Sequence, residues 1–206
     1  MLRYRAEGEA RKEVLHGETK FYAVTFKVAV TGSRIEGVYM SKSPDIVVFM
    51  RRAEESDVEI VHQIVCAAYS KWISVIGREP TPMTADFNKA VREHDIYLAI
   101  FAGDVVGLIE VRLHADHLWI ENVAVHPLRQ GIGIGRRLLS HVEGKAAQAE
   151  IGEIRLQTNE AFEANITLYA ALGYEIDRRE PFMGGKTVFM SKKLWRHKAD
   201  PEIKIS

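Results

Sequence analysis

The chain has one cysteine in 206 residues, Cys66, and no excess charge of either sign, 28 lysines and arginines balancing 28 aspartates and glutamates. A lone cysteine excludes a disulfide framework and fits a reducing compartment, so a cytoplasmic protein is expected. Cys66 stands among apolar residues and reads as a small buried hydrophobe rather than a nucleophile. Balanced charge supplies no net field to draw the chain onto nucleic acid or an anionic membrane surface. No apolar run approaches the roughly 20 residues of a membrane span. The charged residues at 3–13 are not followed by the apolar stretch of a signal peptide. Internal repeats and low-complexity segments are also missing. What is left is a globular chain, 47% hydrophobic, with enough apolar residues for a sizeable core in one domain with or without an extension.

The first forty residues read differently from the rest. Tyr22, Val24, Phe26, Val28 and Val30 alternate with mixed positions, and Thr31-Gly32-Ser33 is a turn signal before residues 35–40, which predicts a β-hairpin. Ser41-Lys42-Ser43-Pro44 then reads as a linker, giving an N-terminal extension over 1–44 and a main domain over 45–206. A fold that begins at Met40 is a second reading.

The main domain opens with a strand at 46–51. Ser56 and Glu59 have the spacing of a capping box at the start of a helix over 57–76, with Val61, Ile64, Val65, Ala68 and Trp72 on one face and Gly77 as its stop. Thr84 is expected to cap a short helix running to residue 93. Strands at 96–101, 105–112 and 118–125 form a meander. A helix carrying Leu138, Leu139, Val142 and Ala146 on one face follows, then a strand at 153–158, a helix at 163–172 stopped by Gly173, and strands at 174–178 and 186–194 separated by Pro181 and Gly184-Gly185. The order is that of a mixed α/β domain.

The stretch from Val123 to Leu139 holds most of the chemistry: an apolar strand ending Val123-Ala124-Val125-His126-Pro127, then Gln130-Gly131-Ile132-Gly133-Ile134-Gly135, then a helix. Glycine leaves no side chain between backbone amides and an anion, and a helix N-terminus adds unpaired donors and the positive end of its dipole, so the stretch predicts a phosphate cradle. Position 136 is arginine, so the dinucleotide fingerprint G-x-G-x-x-G is incomplete, and no P-loop lysine follows. These residues fit the Q/R-x-x-G-x-G/A pattern and resemble the GNAT (GCN5-related N-acetyltransferase) superfamily over residues 46–194. That resemblance implies a centrally splayed mixed sheet flanked by helices, with acetyl-CoA as co-substrate. The amides of Gln130, Gly131, Ile132, Gly133, Ile134 and Gly135 would hold the pyrophosphate, and the strand Val123, Ala124 and Val125 would line the pantetheine arm. Arg136, with Arg129 and Arg137, would meet the outer phosphates or remain solvated surface.

Asn165, Tyr169, Gly173 and Tyr174 fit a second pattern of the same family. It implies that Tyr169 protonates the departing thiolate and that Asn165, one turn earlier on the same helix face, bonds the pantetheine arm or serves as an ordinary cap. An ammonium acceptor must lose a proton before it attacks a thioester. Glu121 lies two residues before Val123, on the same strand face by alternation, and is the expected base, acting directly or through water. Trp119 shares that parity and is expected to wall the acceptor pocket, together with residues 69–83, including Trp72, Arg78 and Glu79. His114-Ala115-Asp116-His117 offers metal-capable groups but lacks a fourth ligand and reads as a polar loop. The expected partners are acetyl-CoA and an amine acceptor, a small amine or amino acid ahead of a protein N-terminus or lysine, with neither nucleic acid nor membrane. A noncatalytic acyl-CoA sensor and a homodimer paired through the extra strands stay open.

Overall fold

The computed structural model describes residues 47–194 and, nearer the N-terminus, the strands β1 (Arg11–His16), β2 (Thr19–Val30) and β3 (Ser33–Ser41). These three strands form one antiparallel sheet, order β1-β2-β3, with Val30 opposite Ser33. The hairpin is therefore β2–β3, and a strand that the sequence did not reveal precedes it. The turn at 31–32, the linker at 42–44 and the boundary at 44–45 lie outside the described residues.

The main domain runs β4 (Phe49–Arg52), α1 (Val58–Tyr69), α2 (Ile73–Ile76), α3 (Phe87–Glu93), β5 (Asp95–Phe101), β6 (Asp104–Leu113), β7 (Leu118–Val125), α4 (Ile134–Gln148), β8 (Glu153–Asn159), α5 (Glu163–Ala171), β9 (Glu175–Phe182) and β10 (Gly185–Lys193). The seven strands form one sheet, order β4-β5-β6-β7-β8-β10-β9, antiparallel except where β7 meets β8. One face buries Ile109, Val111, Leu118, Ile120, Leu156 and Val188 beneath α4, whose Leu138, Leu139, Val142 and Ala146 are fully buried as the helical period requires. The other face buries Ile96, Leu98 and Leu108 beneath α1 and α3. Each large aliphatic side chain so buried contributes about 1.5–3 kcal/mol. A Cβ on Gly107 would stand 2.9 Å from the Ala124 carbonyl oxygen and 3.3 Å from the Ile134 side chain, so glycine there lets the first turn of α4 settle close on β6.

Several local signals resolve differently from the sequence reading. Ser56 does not open the capping box. Glu54 is the N-cap, its amide donating to Asp57 at 2.8 Å, because Asp57 is drawn in by two hydrogen bonds from the Arg51 guanidinium at 2.6 and 2.7 Å. The helix expected over 57–76 is interrupted by a 3₁₀ turn at Ser70–Trp72, and Gly77 closes it at φ +70°. Asp86, not Thr84, caps α3, accepting from the Lys89 amide at 3.0 Å. Pro181 does not separate the last strands but sits inside β9, an edge strand where its missing N–H costs no ladder bond. No helix among the described residues is long and apolar enough to cross a membrane.

Candidate active site

The site begins with a fault in the sheet. On β7, Asn122 pairs with Glu110 and Ile120 with Val111, so Glu121 is an extra residue without an opposite number. Such a bulge bends its strand and re-aims the side chain that it carries. Its effect on side-chain direction is visible: Leu118 and Ile120 pack under α4, whereas Ala124, of the same parity, packs toward α1 and α3. Past the bulge β7 also parts from β8. Their parallel pairing covers Leu118, Trp119 and Ile120 against Ile154, Arg155 and Leu156, after which β8 continues with β10 alone.

A cleft of about 520 Å³ opens in this gap, lined by Glu121 and Val123 on one edge, Gln157 to Asn159 on the other, and Asn165 and Tyr169 from α5. Four of the residues singled out from the sequence thus meet in one cavity. Trp119 is not among the lining residues, because the bulge breaks the alternation that joined it to Val123. Ala124 presents no side chain to the cleft either, being 1% exposed in the core. Of the expected acceptor wall, Arg78 lines the cavity, whereas Trp72 stacks on Phe162 at 4.4 Å and Glu79 stays outside. Cys66 is half-buried and off the lining. Burial, with Glu79 nearby, pushes its thiol up, which disfavours the nucleophilic thiolate.

The glycine turn follows β7 directly. His126 accepts from the Leu128 amide at 3.3 Å, opening a 3₁₀ turn at Pro127–Arg129. Gln130 is exposed but tied back to the turn: its side-chain amide donates to the Val125 carbonyl at 2.9 Å, Lys71 donates to its side-chain oxygen at 3.2 Å, and its backbone amide donates to Pro127 O at 3.3 Å. The next six amides, Gly131 through Arg136, have no acceptor among the described residues, and Arg137 is the first to bond back, to Gly133 at 3.1 Å. Gly131 and Gly133 hold φ of +79° and +86°, a left-handed region that side chains with a Cβ rarely adopt, while Gly135 has ordinary backbone and room for a methyl group. Arg136 and Arg137 are exposed without an acidic partner among the described residues, and Arg129 lies over the Phe101 ring at 5.4 Å.

Acid and base groups cluster across the gap. Glu121 is paired with Arg112. Glu110, 7% exposed, contacts the His94 Nδ1 at 2.5 Å, and Tyr69 donates to the Asn122 side chain at 2.9 Å. Burial raises the Glu110 carboxyl above the usual range, against the opposing pull of His94. Burial also pushes the Tyr169 phenol up to about 12, so it keeps its proton at neutral pH, and its hydroxyl has no hydrogen-bond partner among the described residues. Glu110 and His94 escaped the sequence reading. The available signal was a single charged residue, Glu110, in the otherwise apolar run 105–111.

Comparison with solved structures returns the same architecture. The ribosomal-protein-S18-alanine N-acetyltransferase from Escherichia coli superposes with a TM-score of 0.62 at 18% identity, over 75% of this chain and 99% of its own. The PaiA N-acetyltransferase from Thermoplasma acidophilum, in complex with coenzyme A, gives 0.63 at 18% identity, over 72% and 99%. YncA from Salmonella typhimurium, with acetyl-CoA, gives 0.58 at 20% identity, over 76% and 99%. Identities this low speak for fold alone, and a search of curated proteins finds no significant match. The model of the acetyltransferase (GNAT) family, however, matches residues 59–174, more than half of the sequence and all of the splayed cleft's β7 edge and glycine turn. On that match, the chain belongs to the acetyltransferase (GNAT) family.

Proposed function

We propose that the protein is a cytoplasmic N-acetyltransferase that moves an acetyl group from acetyl-CoA to a primary amine of a small molecule or amino acid, by direct attack without a covalent enzyme intermediate. The observation that carries this reading is the run of six unpartnered amides at the start of α4, set beside a sheet edge that has lost its neighbour. Unpaired donors at a helix N-terminus match a pyrophosphate, and the open edge of β7 offers backbone groups to an extended amide-bearing arm. The fit extends to Arg136, free to meet an outer phosphate, and to Asn165, whose side chain faces the cleft.

Acetyl-CoA supplies an activated thioester, and the remaining work falls to side chains already in place. Tyr169 is a protonated phenol in the cleft, suited to neutralise a departing thiolate. Glu121, turned into the cavity at the bulge, receives the amine proton directly or through water. Glu110 is a second candidate for that role, favoured by its burial and its contact with His94, because a raised carboxyl holds a proton more readily.

Calorimetric titration with acetyl-CoA tests the reading. The native chain is expected to bind, and a folded Gly133→Val variant, strained at φ +86°, to bind at least about tenfold more weakly. Absence of binding by the native chain at millimolar acetyl-CoA would make the turn a structural feature and remove the reading.

A further inference from the structure

Among the described residues, four basic side chains line the cleft, and three of them already have a carboxylate. His94 contacts Glu110 at 2.5 Å, Lys89 meets Glu93 at 3.8 Å, and Arg112 is paired with Glu121. The remaining acid on the lining, Asp86, caps α3. Arg78 stands apart. It follows Gly77, whose left-handed backbone ends α2. One of its terminal nitrogens donates to the Glu79 carbonyl at 3.2 Å, and the guanidinium rests 5.7 Å from the centre of the Phe182 ring, which comes from the end of β9. No carboxylate reaches it among the described residues, and its Nε is buried without any hydrogen-bond partner.

A buried donor left without an acceptor is destabilising, and a guanidinium is the side chain best shaped to take two oxygens of one planar anion. The aromatic ring against one side of it fixes its orientation and limits water there. An amine alone gives this group nothing to bind. Building on the acetyltransferase reading above, we infer that the acceptor is an amine that also bears a carboxylate, which the Arg78 guanidinium holds at the wall of the cleft formed by the segment after α2 and the β9–β10 hairpin. The acidic groups Glu121 and Glu110 then face the amine end of the same molecule, so the cavity distinguishes the two ends of an amino-acid-like acceptor by charge.

The experiment is a thiol-release assay with acetyl-CoA and the common amino acids, each beside the matching amine without its carboxylate and, for one pair, a phosphate in its place. A carboxylated member is expected to exceed its matched amine in kcat/KM on the order of 10- to 100-fold, the range of hydrogen bonds to a charged group. In Arg78→Gln that preference should collapse through KM for the carboxylated acceptor. The matched amine should lose far less than its carboxylated partner, the calorimetric affinity for acetyl-CoA should stay unchanged, and Arg78→Lys should recover part of the preference. Equal turnover of both members, a preference for the phosphate, or an equal loss for both members in Arg78→Gln would overturn the inference. Acetyl-CoA binding without release for any amine would also overturn it while leaving the cofactor cradle standing. Failure to bind acetyl-CoA would instead remove the reading beneath it.

Discussion

Glu110 sits where a charge is least expected, in the middle of a strand buried on both faces, and its proton affinity is the property most open to measurement. Burial raises its carboxyl above the ordinary value of 4.5 despite the contact with His94. If Glu110 takes the amine proton, kcat/KM climbs with pH through that raised value. Glu110→Gln then erases this acidic limb and lowers the plateau by about 10²-fold or more. If Glu121 is the base, Glu110→Gln leaves the plateau of kcat/KM largely intact and Glu121→Gln lowers it instead. Stability runs the other way: the folded state binds this proton more readily than the unfolded chain, so the contribution of Glu110 is full below about 4.5 and is lost as pH rises through the folded value. Tyr169→Phe, which keeps the ring and removes the proton, should lower kcat roughly 10²-fold with little change in acetyl-CoA affinity, read by single-turnover kinetics beside calorimetry. The placement of Tyr169 and Asn165 on one helix face, and of the glycine turn at the start of α4, was legible because it follows from local spacing. Glu110 was not, because its significance depends on burial and on His94, sixteen residues away in sequence and brought near by the β5–β6 pairing.

The same division between local and tertiary information separates the elements that were read correctly from those that were not. Alternation located β5, β6 and β7 to within a residue or two, and helical period picked out the buried face of α4, since each buries a continuous stripe. The start of α1 was placed to within a residue, but its capping box was misassigned because Ser56 has the right spacing, whereas Asp57 is held by Arg51 on the preceding strand β4. Burial alone would raise the Asp57 carboxyl, but hydrogen bonds from Arg51 and the Glu54 amide outweigh it and hold the group below its ordinary 3.8. Its contribution is therefore present above about 3.8 and lost as pH falls through the lower folded value. Asp57→Asn should cost about 1–3 kcal/mol in urea denaturation at pH 7, and the gap to the native chain should narrow toward pH 3. The bulge at Glu121 is a further case: strict alternation put Trp119, Glu121 and Val123 on one face, yet one added residue kept the last two in the cleft and moved Trp119 out of it.

At the scale of the molecule, the sheet is two sheets that touch briefly. β4 to β7 form one and β8, β10 and β9 the other, joined in hydrogen bonding through three residues on each side, with the helices packed across the joint. A ligand that fills the gap binds the folded state alone and should stabilise it by about 2.7 kcal/mol at a hundredfold excess over Kd, visible as a rise of several degrees in Tm that grows with the logarithm of acetyl-CoA concentration. A flat response would mean that acetyl-CoA does not enter the gap. The narrowness of the joint has another consequence, for protein engineering. The loop at 149–152 between α4 and β8 falls where the two halves meet, so opening the chain there yields a larger piece ending in α4 and a smaller one holding β8, α5, β9 and β10. With so short a zipper between them, the pieces should recombine weakly by themselves and more firmly around whatever spans both edges, making this fold a ready frame for a split sensor of its own ligand.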